Sequence, residues 1–241
     1  MGIKIDYSFI LSALVQELKV LPLTLTITIV PLIFGLGIGI LIAIIRLRKI
    51  PVVDHFAAFY VSFVRGTPLL LHIMLIYFAL PMAFDALALK YNWSLHSKDI
   101  PIIVFIFVAF SINAGAYMSE IIRSGILSVN YGQVEAAYSV GMTAPQAMRR
   151  IVLPQALAIN LPMLCSMFIS LLQGSSLAFS ISIVEVTGKA NIYAAASFKF
   201  LEAFIAAALI YWGMTILVER ITSILEKRVQ RYNRGEFHDC T

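Results

Sequence analysis

Five apolar runs, each at or above the roughly 20 residues a helix needs to cross a bilayer, constrain this chain more than anything else in it. They lie at about 23–45, 56–84, 100–122, 155–183 and 201–221. In hydrocarbon, every backbone N–H and C=O has to find its partner within the protein, which leaves helices for runs of this length. Composition agrees. Of 241 residues, 60% are hydrophobic and 13% charged, against roughly 25% charged in soluble domains. The chain is expected to be an all-α integral membrane protein with five transmembrane helices, folded as a single domain over residues 1–241.

The formal charge of +5 does not call for nucleic acid, because membrane proteins collect Lys and Arg in cytoplasmic loops. If the N-terminus lies outside, the outer segments hold Lys4, Lys19, Lys90, Lys98, Lys189 and Lys199. The inner side then holds Lys49, Lys227 and all ten arginines: Arg46, Arg48, Arg65, Arg123, Arg149, Arg150, Arg220, Arg228, Arg231 and Arg234. That asymmetry predicts an outer N-terminus and a cytoplasmic C-terminus. No basic region with a short apolar core and a small-residue cleavage site opens the chain, so the first long run is expected to remain as a span. Residues 6–20 are too polar to span. Tyr7, Ile10, Leu11, Leu14 and Leu18 recur there at helical spacing, which predicts an amphipathic surface helix. Two cysteines, Cys165 and Cys240, support neither a disulfide framework nor a zinc site.

The segment at 130–154 interrupts this pattern and falls on the cytoplasmic side. Asn130 with Gln133 fits the start of a short helix, and Gly141 can end it in the left-handed conformation. Thr143 with Gln146 is a second capping box, with Pro145 tolerated in the first turn. Pro154 is expected to end that second helix and begin the fourth span. Two short helices joined by a sharp turn make a protruding elbow.

The elbow resembles the EAA motif of bacterial ATP-binding-cassette importer permeases: Glu135, Ala136, Ala137, then Gly141, Ile151, Leu153 and Pro154. RGTPLLLHIMLIYFALP at 65–81, INAGAYMSEIIRSGI at 112–126 and LLQGSSLAF at 171–179 are similar to the permeases for polar amino acids. The resemblance, over about residues 20–230, implies a type I importer fold in the bacterial cell membrane. It implies a second permease subunit, a dimer of ATP-binding-cassette ATPases that holds ATP and Mg, and an extracytoplasmic substrate-binding protein. It implies no cofactor on this chain and an elbow that acts as coupling helix, where Glu135 faces an ATPase groove. The plainer reading of Glu135 is a solvated carboxylate. Arg149 and Arg150 pair with acidic groups on the ATPase or anchor at lipid headgroups. Met142, like Tyr138, is offered as an apolar anchor. The 171–190 segment suggests L-cystine or a related amino acid as cargo. Relatives that move basic amino acids can carry an acid where this chain has Gly174, which argues against arginine or lysine.

Three groups inside the spans are candidates for the substrate pathway. Pro68 removes a helical hydrogen bond, so the second span should loosen at Thr67–Pro68 and free backbone groups there. The alternative is a packing kink. Asn113, Tyr117 and Glu120 share one helix face. Asn113 is the pathway candidate, and Glu120 is expected to pair with Arg123. Gln173, Gly174, Ser175 and Ser176 interrupt the fourth span, either to admit a zwitterion or for close packing. The glycines at 35–39 are read as helix-packing residues. His72 is a pathway or packing residue, and with no partner at metal spacing a metal is rejected. No nucleophile set or phosphate loop is present, so the chain is read as a transport subunit and not an enzyme. An ion-gradient-driven secondary transporter is the alternative; it would show an inverted repeat, and none is seen.

Overall fold

A computed structural model describes residues 5–235, with side chains through residue 228. Lys4, Cys240 and the side chains of Arg231 and Arg234, used above, lie outside the described residues. The described residues hold ten α-helices and no strand: α1 Tyr7–Leu18, α2 Leu21–Arg48, α3 Val53–Gly66, α4 Leu69–Tyr91, α5 Ile102–Ser128, α6 Tyr131–Ser139, α7 Ala144–Ala147, α8 Leu153–Gly174, α9 Val186–Ala195 and α10 Phe200–Gly235. Five stretches are long and apolar enough to cross a membrane, namely α2, α4, α5, the run from Ala144 to Ile181, and α10 to Arg228. The all-helical architecture with five candidate spans expected above is the one observed.

The centre of the molecule is the pair α2 and α5. A Cβ built on Gly35 would fall 2.5 Å from Ala114 Cβ, and one on Gly39 would fall 2.6 Å from Met118 Cβ. Both contacts advance together along the two helices, so the helices run in the same direction. Small residues one turn apart let the two backbones approach closely, which supplies dispersion contact where no hydrophobic force acts between helices. Gly37 points into open space, so two of the three glycines carry the packing. Ile106, Phe110, Ile27, Ile73, Leu171 and Met118 fill the core around this pair.

A second core lies where α1 and α9 pack on α10, built from Ala13, Val186, Ala190, Ala194, Ala203 and Ala206. Here the sequence expectation for α1 needs correcting. Ile10 and Leu14 do face the protein, but so does Glu17, which is 0% exposed. Tyr7, Leu11, Val15 and Leu18 are exposed on the other side. The helix is apolar on two faces, one turned outward and one packed on the protein, and Glu17 lies on the packed one. Asp6 caps α1 by accepting from Phe9 N at 3.1 Å, and Lys199 holds α1 to the start of α10 through Asp6 at 2.6 Å. The hydrogen bond and charge of Lys199 keep the Asp6 carboxyl far below the usual carboxylate range.

Two of the expected helix boundaries are also revised. The run at 56–84 is two helices, fully interrupted at Thr67–Pro68. The expected stop at Pro154 does not occur. From Ala144 the backbone stays helical through a π turn at Met148–Val152 and on into α8. The wide turn explains how. Leu153 N–H reaches back to Met148 O, and this looser ladder makes room for the Pro154 ring, which would otherwise strike the carbonyl four residues back.

Candidate functional site

The break between α3 and α4 organises the site. Pro68 offers no N–H, and Thr67 before it adopts φ −123° and ψ 149°, the extended region that a residue ahead of proline prefers. The Thr67 hydroxyl lies 2.7 Å from Phe63 O, to which it donates. His72 Nε2 lies 2.6 Å from the same hydroxyl, and His72 Nδ1 lies 3.3 Å from Asn113 Nδ2 on α5. With the hydroxyl proton given to Phe63, Thr67 accepts from His72. The network therefore assigns the ring proton to Nε2, and Nδ1 accepts from the Asn113 amide. Each member of this chain of bonds has one role, and the chain ties α3, α4 and α5 together across the break.

Thr67, Pro68, Asn113 and Tyr117 line a cavity of about 320 Å³. Met167, Ser170 and Leu171 of α8 complete the wall. His72 is buried behind it and acts on the cavity through Thr67 and Asn113. Sequence reasoning missed Met167 and Ser170. They lie seven and four residues before Gly174, one helix face apart, so helical spacing carried the signal.

The four residues at 173–176 divide. A Cβ on Gly174 would meet Leu69 Cδ2 at 3.0 Å, so Gly174 stands beside the cavity. Gln173 is exposed. Ser175 is fully buried on the opposite side, donating to Leu172 O at 2.6 Å and 3.4 Å from Tyr211 Oη. Ser176 donates locally to Gln173 O at 2.8 Å. The structure thus does not bring Gln173, Ser175 and Ser176 to the cavity. Each residue of a helix turns about 100° from the one before it, so the neighbours of Gly174 face away from the side on which Gly174 meets Leu69.

Glu120 pairs with Arg123 at 2.9 Å, as expected, and also with Arg46 of α2. Arg65 places its guanidinium over the Tyr117 ring, 5.4 Å from the centroid. Arg46 was not foreseen, because it lies 74 positions from its partner. Among the described residues, no three His, Cys, Asp or Glu side chains gather as a metal would need.

The elbow is built as its residues suggest, with one change. Asn130 accepts from Gly132 N at 2.8 Å to start α6, but Gln133 turns to Gln155 instead of closing a capping box. Gly141 takes φ +81°. Its N–H bonds Tyr138 O at 2.9 Å, and Met142 N bonds Ala137 O at 3.0 Å. These two bonds make a Schellman ending, which needs a residue free to adopt positive φ. Thr143 N donates to Gln146 Oε1 at 2.8 Å to start α7. Ala137 and Ala147 are buried, while Glu135, Ala136, Arg149 and Arg150 are exposed and Met142 is half-buried. Among the described residues, neither arginine has an acidic partner within 4.0 Å. Asn160, also unforeseen, donates to Ile121 O at 2.5 Å and pins the foot of α8 to α5.

Residues 35–231 match the family model described as "Binding-protein-dependent transport system inner membrane component". The chain is 37% identical over 226 residues to the probable amino-acid ABC transporter permease protein PatM of Vibrio harveyi, covering 94% of this chain and 97% of that one. It is 36% identical to the L-cystine transport system permease protein TcyL of Bacillus subtilis (strain 168), covering 79% and 77%. A solved chain described as an amino acid ABC transporter with histidines superposes with a TM-score of 0.80 at 31% identity, covering 94% of this chain and all of that one.

Proposed function

Since the chain belongs to the family of binding-protein-dependent transport system inner membrane components, as an amino-acid ABC transporter permease, we propose that it passes a polar amino acid inward by ATP-driven alternating access. In this reading a binding protein delivers the amino acid at the outer face, and the elbow stands in the cytoplasm against an ATPase dimer. A second permease subunit completes the pathway. L-cystine or a related amino acid is the proposed cargo, supported by the similarity to TcyL.

One observation carries the reading. The helical run that begins in the elbow at Ala144 continues without a break to Met167, Ser170 and Leu171 in the cavity wall. A force on the elbow therefore moves a wall of the cavity directly, as rigid-body switching requires. Glu135, Arg149 and Arg150 would meet polar and charged groups of the ATPase, with Met142, Ala136 and Ala137 shaping the contact around Gly141. In the cavity, Thr67 and Asn113 offer polar contacts to a zwitterion, Tyr117 an aromatic wall, and Pro68 and Gly174 room near the backbone. Gln173, Ser175 and Ser176 take no part in this reading.

The test is reconstitution in vesicles with the cognate ATPase and binding protein. Radiolabelled cystine is expected to enter only when ATP hydrolysis and the binding protein are both present. Uptake that needs neither, and that follows an imposed ion gradient, would sink the proposal.

A further inference from the structure

A second cavity, of about 490 Å³, lies on the elbow side of Tyr117 and is lined by Arg46, Ser62, Arg65, Tyr117 and Glu120. Tyr117 lines both cavities. Along one face of α5, Asn113 belongs to the inner cavity, Tyr117 to both, and Glu120 to the second. The spacing of four and three residues stacks them along the helix axis. The second cavity opens at the surface, where Ser62 and Arg65 are exposed.

Its charge is unbalanced. Glu120 is engaged by Arg46 and by Arg123, so one carboxylate already serves two guanidinium groups. Arg65 adds a third and has no carboxylate within 4.0 Å among the described residues. Its position over the Tyr117 ring uses the charge of the guanidinium and leaves the in-plane N–H donors free. Those donors form a fork that fits the two oxygens of a carboxylate or phosphate. The site thus has an excess of cationic donors, a polar hydroxyl and an aromatic wall that separates it from the cavity above.

We propose that this cavity is a second, exit-side site that takes the α-carboxylate of the transported amino acid on Arg65, after the amino acid passes Tyr117. It rests on the transport reading above. The passage requires the Tyr117 ring to move aside, and the ion pair with the arriving carboxylate replaces the contact that Arg65 loses with the ring. The anionic headgroup of a phospholipid presents the same oxygen chemistry, so the test separates the two sources.

The test uses the whole transporter, permease with ATPase, purified in detergent without the binding protein. Equilibrium dialysis with the radiolabelled amino acid that the wild type takes up should give two molecules per permease chain, and one in Arg65→Gln. The decarboxylated amine of that amino acid should leave the second site empty. In vesicles, Arg65→Gln should lower the maximal uptake rate at least about tenfold, with half-saturation by loaded binding protein unchanged within about twofold, and Arg65→Lys should restore part of the rate. A single molecule bound per wild-type chain, or two in Arg65→Gln, overturns the proposal. Anionic phospholipid retained by the wild type and lost in Arg65→Gln, with one amino acid bound to each, would assign the cavity to a lipid headgroup and overturn the proposal. Absence of ATP-driven amino-acid uptake by the wild type would be a failure of the transport reading itself, and is seen before any variant is made.

Discussion

Glu17 is the residue whose surroundings are least expected. It is 0% exposed where α1 packs on α9 and α10, and among the described residues neither carboxyl oxygen has a hydrogen-bond partner. An unpaired buried charge costs several kcal/mol, so such a group takes up a proton instead. Burial pushes its carboxyl up to about 8, and the charge of Glu185 adds to the shift. Glu185 itself is satisfied, by Gly188 N at 2.9 Å and the Tyr211 hydroxyl at 2.6 Å. The folded chain thus holds a proton that the unfolded chain releases, and stability falls as pH climbs from 4.5 through about 8. Melting in detergent across that window should show the decline, and Glu17→Gln should flatten most of it. An unchanged slope in the variant would place the titrating group elsewhere. At the cavity, Asn113→Ala removes the donor to His72 Nδ1. The ring is then free to change tautomer and to release Thr67. Uptake is expected to lose cargo discrimination by about 1–2 kcal/mol, roughly tenfold, while binding-protein docking is unaffected. Competition between amino acids during uptake measures it.

Elements follow a simpler logic. In the α2–α5 pair, Gly35→Ala and Gly39→Ala each place a Cβ against atoms that cannot yield without parting the helices, including the backbone of Gly115 or Ser119. Each is expected to cost about 1–3 kcal/mol. Gly37→Ala meets nothing and should be neutral or gain up to about 1 kcal/mol of helix propensity. Thermal melting of the three variants side by side tests the ranking. The spans themselves were readable because twenty apolar residues admit one solution in lipid, and the break at Thr67–Pro68 was readable because proline acts locally. Helix α9 was not read. It has ten residues, with Val186, Ala190 and Ala194 on its buried face, too few and too small to stand out as a period. The pairing of Arg46 with Glu120 depends on how α2 lies along α5, which no local pattern encodes. The burial of Glu17 has the converse cause: a carboxylate carries no local signal for the packed side of a helix, and tertiary packing put it there.

At the scale of the whole molecule, a packed α2–α5 core stands beside one long helical run that joins the elbow to the cavity wall. The turn at Gly141 sets the angle between α6 and that run. Gly141→Asp asks a non-glycine residue to hold φ +81°, at a cost of about 1–2 kcal/mol that a whole fold tolerates. It also adds a carboxylate to the exposed turn. The variant should insert normally and support ATP hydrolysis while uptake falls at least about tenfold. Parallel assays of hydrolysis and transport on one vesicle preparation would show it, and proportional loss of both would mean a folding defect instead.

The π turn at Met148–Val152 also fixes a bearing. A π turn accommodates one residue more than the α-helix it interrupts, and each residue of an α-helix advances about 100° around its axis. The compass direction in which the elbow leaves the helix, relative to Met167 and Ser170, is therefore set by a count of residues in this one short segment. Loops elsewhere in the chain can lengthen or shorten without disturbing that alignment. Removing a single residue between Met148 and Val152 would swing the elbow by about a quarter-turn or more, aiming an intact contact surface away from whatever drives it.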